Sequence, residues 1–142
     1  MSRLTRAAIT RSRSVLGYHG AVARTFLLIG ALAGFTGVAL GAFAAHGLRG
    51  RLAPDMLAAF ETGVRYHLYH ALALVATASI MERLDATRLL ASAGWMFTAG
   101  IVLFSGSLYL LAVTGVTWLG AITPLGGVAL LVGWACLAIA AI

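Results

Sequence analysis

Apolar residues fill this chain in long unbroken blocks. Residues 25–45 carry no charge, and residues 89–142 contain no Asp, Glu, Lys, Arg or His. A helix crosses the hydrocarbon core of a bilayer with about 20 apolar residues. The first block therefore predicts one span, and the second predicts two spans and the turn between them. No water-soluble domain can hold the second block and still present a wetted surface. In hydrocarbon the backbone must satisfy its own hydrogen bonds, so the spans are helices.

Polar positions punctuate these blocks. Pro54 and Asp55 mark a helix start, since Pro suits the first turn and an acid complements the dipole there. That helix runs to Met81. Its first turns carry Glu61 and Arg65, and its deep part carries His67 and His70. A short loop with Glu82, Arg83, Asp85 and Arg88 follows. Thr123 and Pro124 read as an N-cap and first-turn pair for the last helix. Four spans result, at about 25–45, 58–81, 89–111 and 124–142, after a basic tail at 1–24. The fold class is all-α: an integral-membrane four-helix bundle.

Gly30, Gly34, Gly37 and Gly41 recur every three or four positions of the first span. Small residues at that spacing let helix backbones approach closely in lipid. Packing within the chain is the plainer reading, and dimerisation the sharper one. Gly126 and Gly127 predict close packing of the last helix on the third. Trp95, Tyr109, Trp118 and Trp134 predict aromatic anchors near the headgroups.

Composition agrees with the pattern. Of 142 residues, 61% are apolar and 10% charged, against about 25% charged in an ordinary soluble domain. All ten basic residues are Arg, and the formal charge is +6. They fall in the tail and short loops, away from any basic helix face or stacking aromatics, which excludes nucleic acid as a partner. The tail and the 82–88 loop hold most of the Arg, so both termini are expected in the cytoplasm. The acid-free, Arg- and Ser-rich tail also fits a mitochondrial presequence. The expected location is a bacterial inner membrane, with the mitochondrial inner membrane as the alternative. The single cysteine, Cys136, can form neither an internal disulfide nor a metal site.

Chemistry concentrates between His46 and His70. Glu61, Arg65 and Tyr69 fall on one stripe, and Glu61 to Arg65 is the favourable order for an ion pair. Tyr66 and His70 form another i, i+4 pair. His67 and His70 lack enough neighbouring ligands for a metal, so they read as groups bonding across helices. Ser105 and Ser107 lie deep in the third span without a base. The candidate polar cluster is His46, Glu61, Arg65, Tyr66, His67, Tyr69, His70, Ser105 and Ser107. No catalytic residue, metal or cofactor is expected.

Several strings then look familiar. Gly41-Ala42-Phe43-Ala44-Ala45-His46-Gly47-Leu48 and Phe60-Glu61-Thr62-Gly63-Val64-Arg65-Tyr66-His67-Leu68-Tyr69-His70-Ala71-Leu72 are two of them. Gly94-Trp95, Leu103-Phe104-Ser105-Gly106-Ser107-Leu108-Tyr109, Ile122-Thr123-Pro124-Leu125-Gly126-Gly127 and Gly133-Trp134 follow in order. Together they resemble the domain-of-unknown-function 423 family, also grouped as uncharacterised protein family 0382. The resemblance covers residues 26–142. It implies a small four-helix membrane protein and no established activity, cofactor or catalytic residue.

The leading functional expectation is a non-enzymatic structural or accessory membrane component. Its partners would be the lipid bilayer and either a second copy of the chain or another membrane protein. One alternative is a small-solute or proton-handling protein that uses the polar cluster. A lower one is an enzyme acting on a lipid or quinone, which needs a pocket joining His70 to Ser105 or Tyr109.

Overall fold

The computed structural model describes the backbone of residues 3–84 and 87–142, and the side chains of 20–84 and 88–142. Asp85 and the side chains of Arg3, Arg6, Arg11 and Arg13, read above as topology signals, lie outside them. The described residues form helices and short connections, with no strand. Helix α1 (Arg3–Phe43) passes into a π-helical turn (Ala44–Leu48), and α2 covers Pro54–Met81. Next, α3 (Thr87–Gly100), a second π-turn (Ile101–Ser105) and α4 (Gly106–Thr114) make one continuous rod. A 3₁₀ turn (Thr117–Ala121) leads into α5 (Thr123–Ala140). Four helical rods result among the described residues.

Local sequence explains most of the boundaries. Pro54 opens α2 with Asp55 in its first turn. Gly115 closes α4 at φ 71°, the left-handed cap that glycine adopts without a Cβ penalty. Two expectations change. The helix α1 begins at Arg3, well before the charge-free block, because nothing in residues 3–24 breaks a helix. Thr123 is the first residue of α5 and caps nothing, since Ile122 stands at the cap; its hydroxyl is used on Ser107 instead.

The rods pack as two pairs, α1 against α2 and α3 against α5, joined where α2 meets α3 and α4. One core, around Phe26, Leu74, Leu90, Phe97 and Leu130, binds all four rods. A second, around Ala44, Leu48, Phe60, Val64 and Ala112, closes the opposite end. The outside of the bundle is apolar: Leu32, Phe35, Val102, Leu125 and Leu131 are all exposed. Such surfaces suit hydrocarbon and not water. Three helical stretches, Gly20–Leu48, Arg88–Thr114 and Thr117–Ala140, are long and apolar enough to cross a membrane. The helix α2 is not among them, although its 28 residues span about 42 Å at 1.5 Å per residue. Its run is interrupted by Glu61, Arg65, His67 and His70.

Glycine sets the contact distances. A Cβ on Gly30 would lie 3.0 Å from the Ala71 carbonyl oxygen, and one on Gly37 would meet Leu68. Gly41 faces Val64 more loosely, at 3.3 Å, and Gly34 meets nothing within 4 Å. Three of the four glycines in the α1 series thus turn to α2, and Gly34 turns outward. On α5, a Cβ at Gly126 would strike the backbone of Phe104, whereas Gly127 has ordinary contacts at 3.8 Å. Gly63, Gly94 and Gly133 also take rings against them, from Tyr109, Phe26 and Phe97.

Candidate functional site

The polar side chains within the bundle lie mainly on α2 and the rod facing it. The α2 periodicity turns His67 and His70 inward, where both are buried. His67 Nδ1 lies 3.2 Å from the Tyr109 hydroxyl of α4, and its Nε2 lies 3.4 Å from Thr36 Oγ1 of α1. Thr36 donates its own proton to the Leu32 carbonyl at 2.9 Å. The partners therefore assign the His67 tautomer: Nε2–H donates to Thr36, and Nδ1 accepts from Tyr109.

His70 takes the opposite tautomer. The Trp134 indole of α5 can only donate, and its Nε1–H reaches His70 Nε2 at 3.1 Å. Nδ1–H then donates to the Tyr66 carbonyl oxygen, one turn back, at 2.7 Å. Both ring nitrogens of each imidazole are engaged. A fourth interhelical link joins Ser107 of α4 to Thr123 of α5 at 2.8 Å. These bonds tie α1 to α2, α2 to α4, α2 to α5 and α4 to α5. Such interhelical bonds in membranes contribute about 0.6 kcal/mol on average and up to about 1.7 kcal/mol. Trp134→Phe removes the indole donor to His70 Nε2. It is expected to lower resistance to denaturation by SDS by roughly 1 kcal/mol, read from the unfolding midpoint of the purified protein.

Ser105 stands apart. It is fully buried, and its hydroxyl has no hydrogen-bond partner among the described residues. A serine in a spanning helix ordinarily donates to the carbonyl one turn back. In the π-turn that carbonyl, Ile101 O, accepts from the backbone N–H of Gly106. Gly63 of α2 packs against both Tyr109 and the Ser105 carbonyl, so Ser105, Tyr109 and His67 share one neighbourhood.

The other candidates do not join this neighbourhood. His46 is exposed on the first π-turn. Glu61 and Arg65 are exposed and line a groove of ≈ 260 Å³ between α1 and α2, beside Gly41, Ala44 and Ala45. The ion pair read from their spacing does not form: Arg65 Nη2 donates to Thr62 Oγ1 at 3.0 Å instead. Its head folds back toward the helix N-terminus, the direction in which helical side chains lean. Tyr69 is exposed, and Tyr66 stacks on His70 with ring centroids 6.1 Å apart. No group of three or more His, Cys, Asp or Glu converges for a metal among the described residues.

A second groove, of ≈ 380 Å³, runs beside His70 between α2, the π-turn and α5. Tyr66, Phe104, Val128, Leu131 and Trp134 wall it. Ser105 and Tyr109 do not line it. Sequence reading missed the partners Thr36, Tyr109 and Trp134 as members of the polar network. Tyr109 and Trp134 were expected at the headgroups; their polar atoms instead bond inward to His67 and His70. The signal was the pairing of hydroxyl- and N–H-bearing residues with two intramembrane histidines.

Comparison with known proteins fits this picture. A family model described as a protein of unknown function, DUF423, matches residues 40–127. The UPF0382 membrane protein YwdK of Bacillus subtilis is 48% identical over 119 residues, which cover 84% of this chain and 97% of the relative. The UPF0382 membrane protein SERP0230 of Staphylococcus epidermidis is 44% identical over 82% of this chain and 94% of its own. A UPF0382 membrane protein of Haemophilus influenzae is 43% identical over 80% of this chain and 90% of its own. No solved structure matches the chain. With the matched region holding α2, the π-turn rod and the first turn of α5, the chain belongs to the DUF423 family of membrane proteins of unknown function.

Proposed function

We propose that this protein is a four-span component of the bacterial inner membrane, with both termini in the cytoplasm and a structural or accessory role. The observation that carries the reading is the use of the buried histidines. Each has both ring nitrogens occupied by partners within the chain, on another helix or on the backbone. A histidine in that state holds helices together and has no free lone pair with which to take a proton. The absence of Ser105 and Tyr109 from the groove beside His70 also argues against lipid or quinone chemistry at that residue.

The packing of α2 supports reading it as a span. It lies antiparallel to α1, whose apolar stretch reaches from Gly20 to Leu48. The positive-inside rule supports that orientation, with Arg24, Arg83 and Arg88 toward one end of the bundle and Arg49 and Arg51 toward the other.

Purified protein in sealed liposomes tests the role. Under an imposed proton gradient the expected flux equals that of protein-free vesicles, and Glu61→Gln and His70→Ala leave it unchanged. A flux that either substitution alters replaces this reading with solute or proton handling. Cysteine labelling tests the threading: residue 50 is expected to react only from outside the cell, and residue 84 only from the cytoplasm.

A further inference from the structure

We propose that the outer α1–α2 face, centred on Glu61 and Arg65, is the contact surface for a second copy of this chain. This rests on the reading of α2 as a membrane span. Contacts of Gly30 with Val75, Gly37 with Leu68 and Gly41 with Val64 fix the antiparallel register of the two helices. In that register the charge-free residues 25–45 of α1 lie beside residues 60–80 of α2. Glu61 then sits just inside the hydrocarbon rim, and the Arg65 backbone about 8 Å inside it. Both side chains point out of the bundle. Tyr69, on the same stripe, lies about 14 Å deep and is 60% exposed. Ionisable side chains within a spanning helix almost always face a bundle interior or a watery cavity. Here the interior side of α2 is already filled by Phe60, Val64 and His67, so the covering wall comes from outside the chain.

Three features identify that wall as a like chain. The patch holds one acid and one base, and a two-fold axis along the membrane normal preserves depth, so it is complementary to itself where the two charged heads share one level. Arg65 reaches back to Thr62, which brings its guanidinium level with Glu61. At that shared depth, Glu61 of each copy meets Arg65 of the other, and symmetry makes two pairs. Finally, Gly41, Ala44 and Ala45 floor the ≈ 260 Å³ groove beside these charges, and small residues admit a close helix neighbour. A lipid phosphate would satisfy Arg65 and repel Glu61, so it fits half of the patch. Tyr69 extends the same contact toward the bilayer centre, where the second copy supplies its hydroxyl with a partner.

The test uses the full chain with Cys136→Ala, in two differently tagged forms, co-expressed and reconstituted in bilayers. Wild-type forms are expected to associate as dimers. Glu61→Arg alone and Arg65→Glu alone are each expected to associate roughly tenfold more weakly, the scale of a lost interhelical polar contact. Mixed together, these two variants are expected to recover, because one copy presents two bases and the other two acids. A monomeric wild type overturns the proposal. So does undiminished self-association of both variants, or a mixture that associates no better than either alone. Should the charge variants fail to fold, Tyr69→Cys in the chain with native charges decides. Mild oxidant is expected to link it into dimers in the membrane, whereas Ile139→Cys on α5 stays unlinked. No link at residue 69 overturns the proposal. Labelling of residues 50 and 84 from opposite sides in a monomeric chain would sink the dimer and leave the spanning reading intact. Labelling of both from one side would sink both.

Discussion

Gly126→Ala is expected to loosen α5 from the third rod and cost about 3 kcal/mol, near the upper end for overpacking by a single methyl. The added Cβ would lie 2.7 Å from the Phe104 Cα, and closer still to its backbone nitrogen. Backbone atoms cannot rotate away as a side chain can, so the helices must separate. Separation disturbs the Ser107–Thr123 hydrogen bond, 2.8 Å long and near this contact, and opens the core around Leu130. Thermal unfolding in detergent reads the effect. Gly34→Ala is the control. It adds the same methyl to a helix at a site with nothing within 4 Å, where Ala is favoured over Gly by roughly 0.5–1 kcal/mol. That variant is expected to match or slightly exceed the wild type. Equal losses at both sites would mean that α5 does not dock on the π-turn as described.

His67→Leu is expected to destabilise the bundle by about 2 kcal/mol, more than any other single loss from the polar network. The ring bonds two other helices at once, to Thr36 and Tyr109. It also lies against Gly37, near the middle of the charge-free stretch, where water cannot replace a lost partner. Leucine leaves the Tyr109 hydroxyl half-buried without its acceptor. Tyr109→Phe removes the other end of that bond, with an expected loss of about 1 kcal/mol. In the double variant both ends are gone. The summed single losses should exceed the double loss by about 1 kcal/mol, the coupling energy of the pair. SDS unfolding of the four proteins measures it. Strict additivity would show that the 3.2 Å contact contributes nothing to stability.

The polar residues show how much was legible beforehand. Histidines at 67 and 70, set in an apolar helix, stood out as groups that must find partners across the bundle. Which partners they find depended on helix order and rotation. Glycines predicted close contact on α1 and α5, yet Gly34 faces outward and Gly63 packs on Tyr109. The Glu61–Arg65 spacing suggested an ion pair because i, i+4 side chains are neighbours on a helix. That rule concerns positions and not rotamers, and Arg65 chose Thr62. The π-turn at Ile101–Ser105 left no sign in the sequence, since its residue types also suit an ordinary α-helix.

Sequence by itself determined the surrounding solvent and the helical class, though not the π-turns. Long charge-free blocks are stable only in hydrocarbon, and hydrocarbon admits helices there, so both conclusions follow from local composition. Family membership was equally legible in the ordered motifs. Tertiary structure alone decided which helix faces meet, which tautomer each histidine holds, and that Glu61 and Arg65 lie on the outside. Those outcomes depend on how rods of similar apolarity rotate against one another. In lipid the hydrophobic effect does not choose among such rotations. Shape and hydrogen bonding choose, through a few glycines and the polar atoms that they bring within reach.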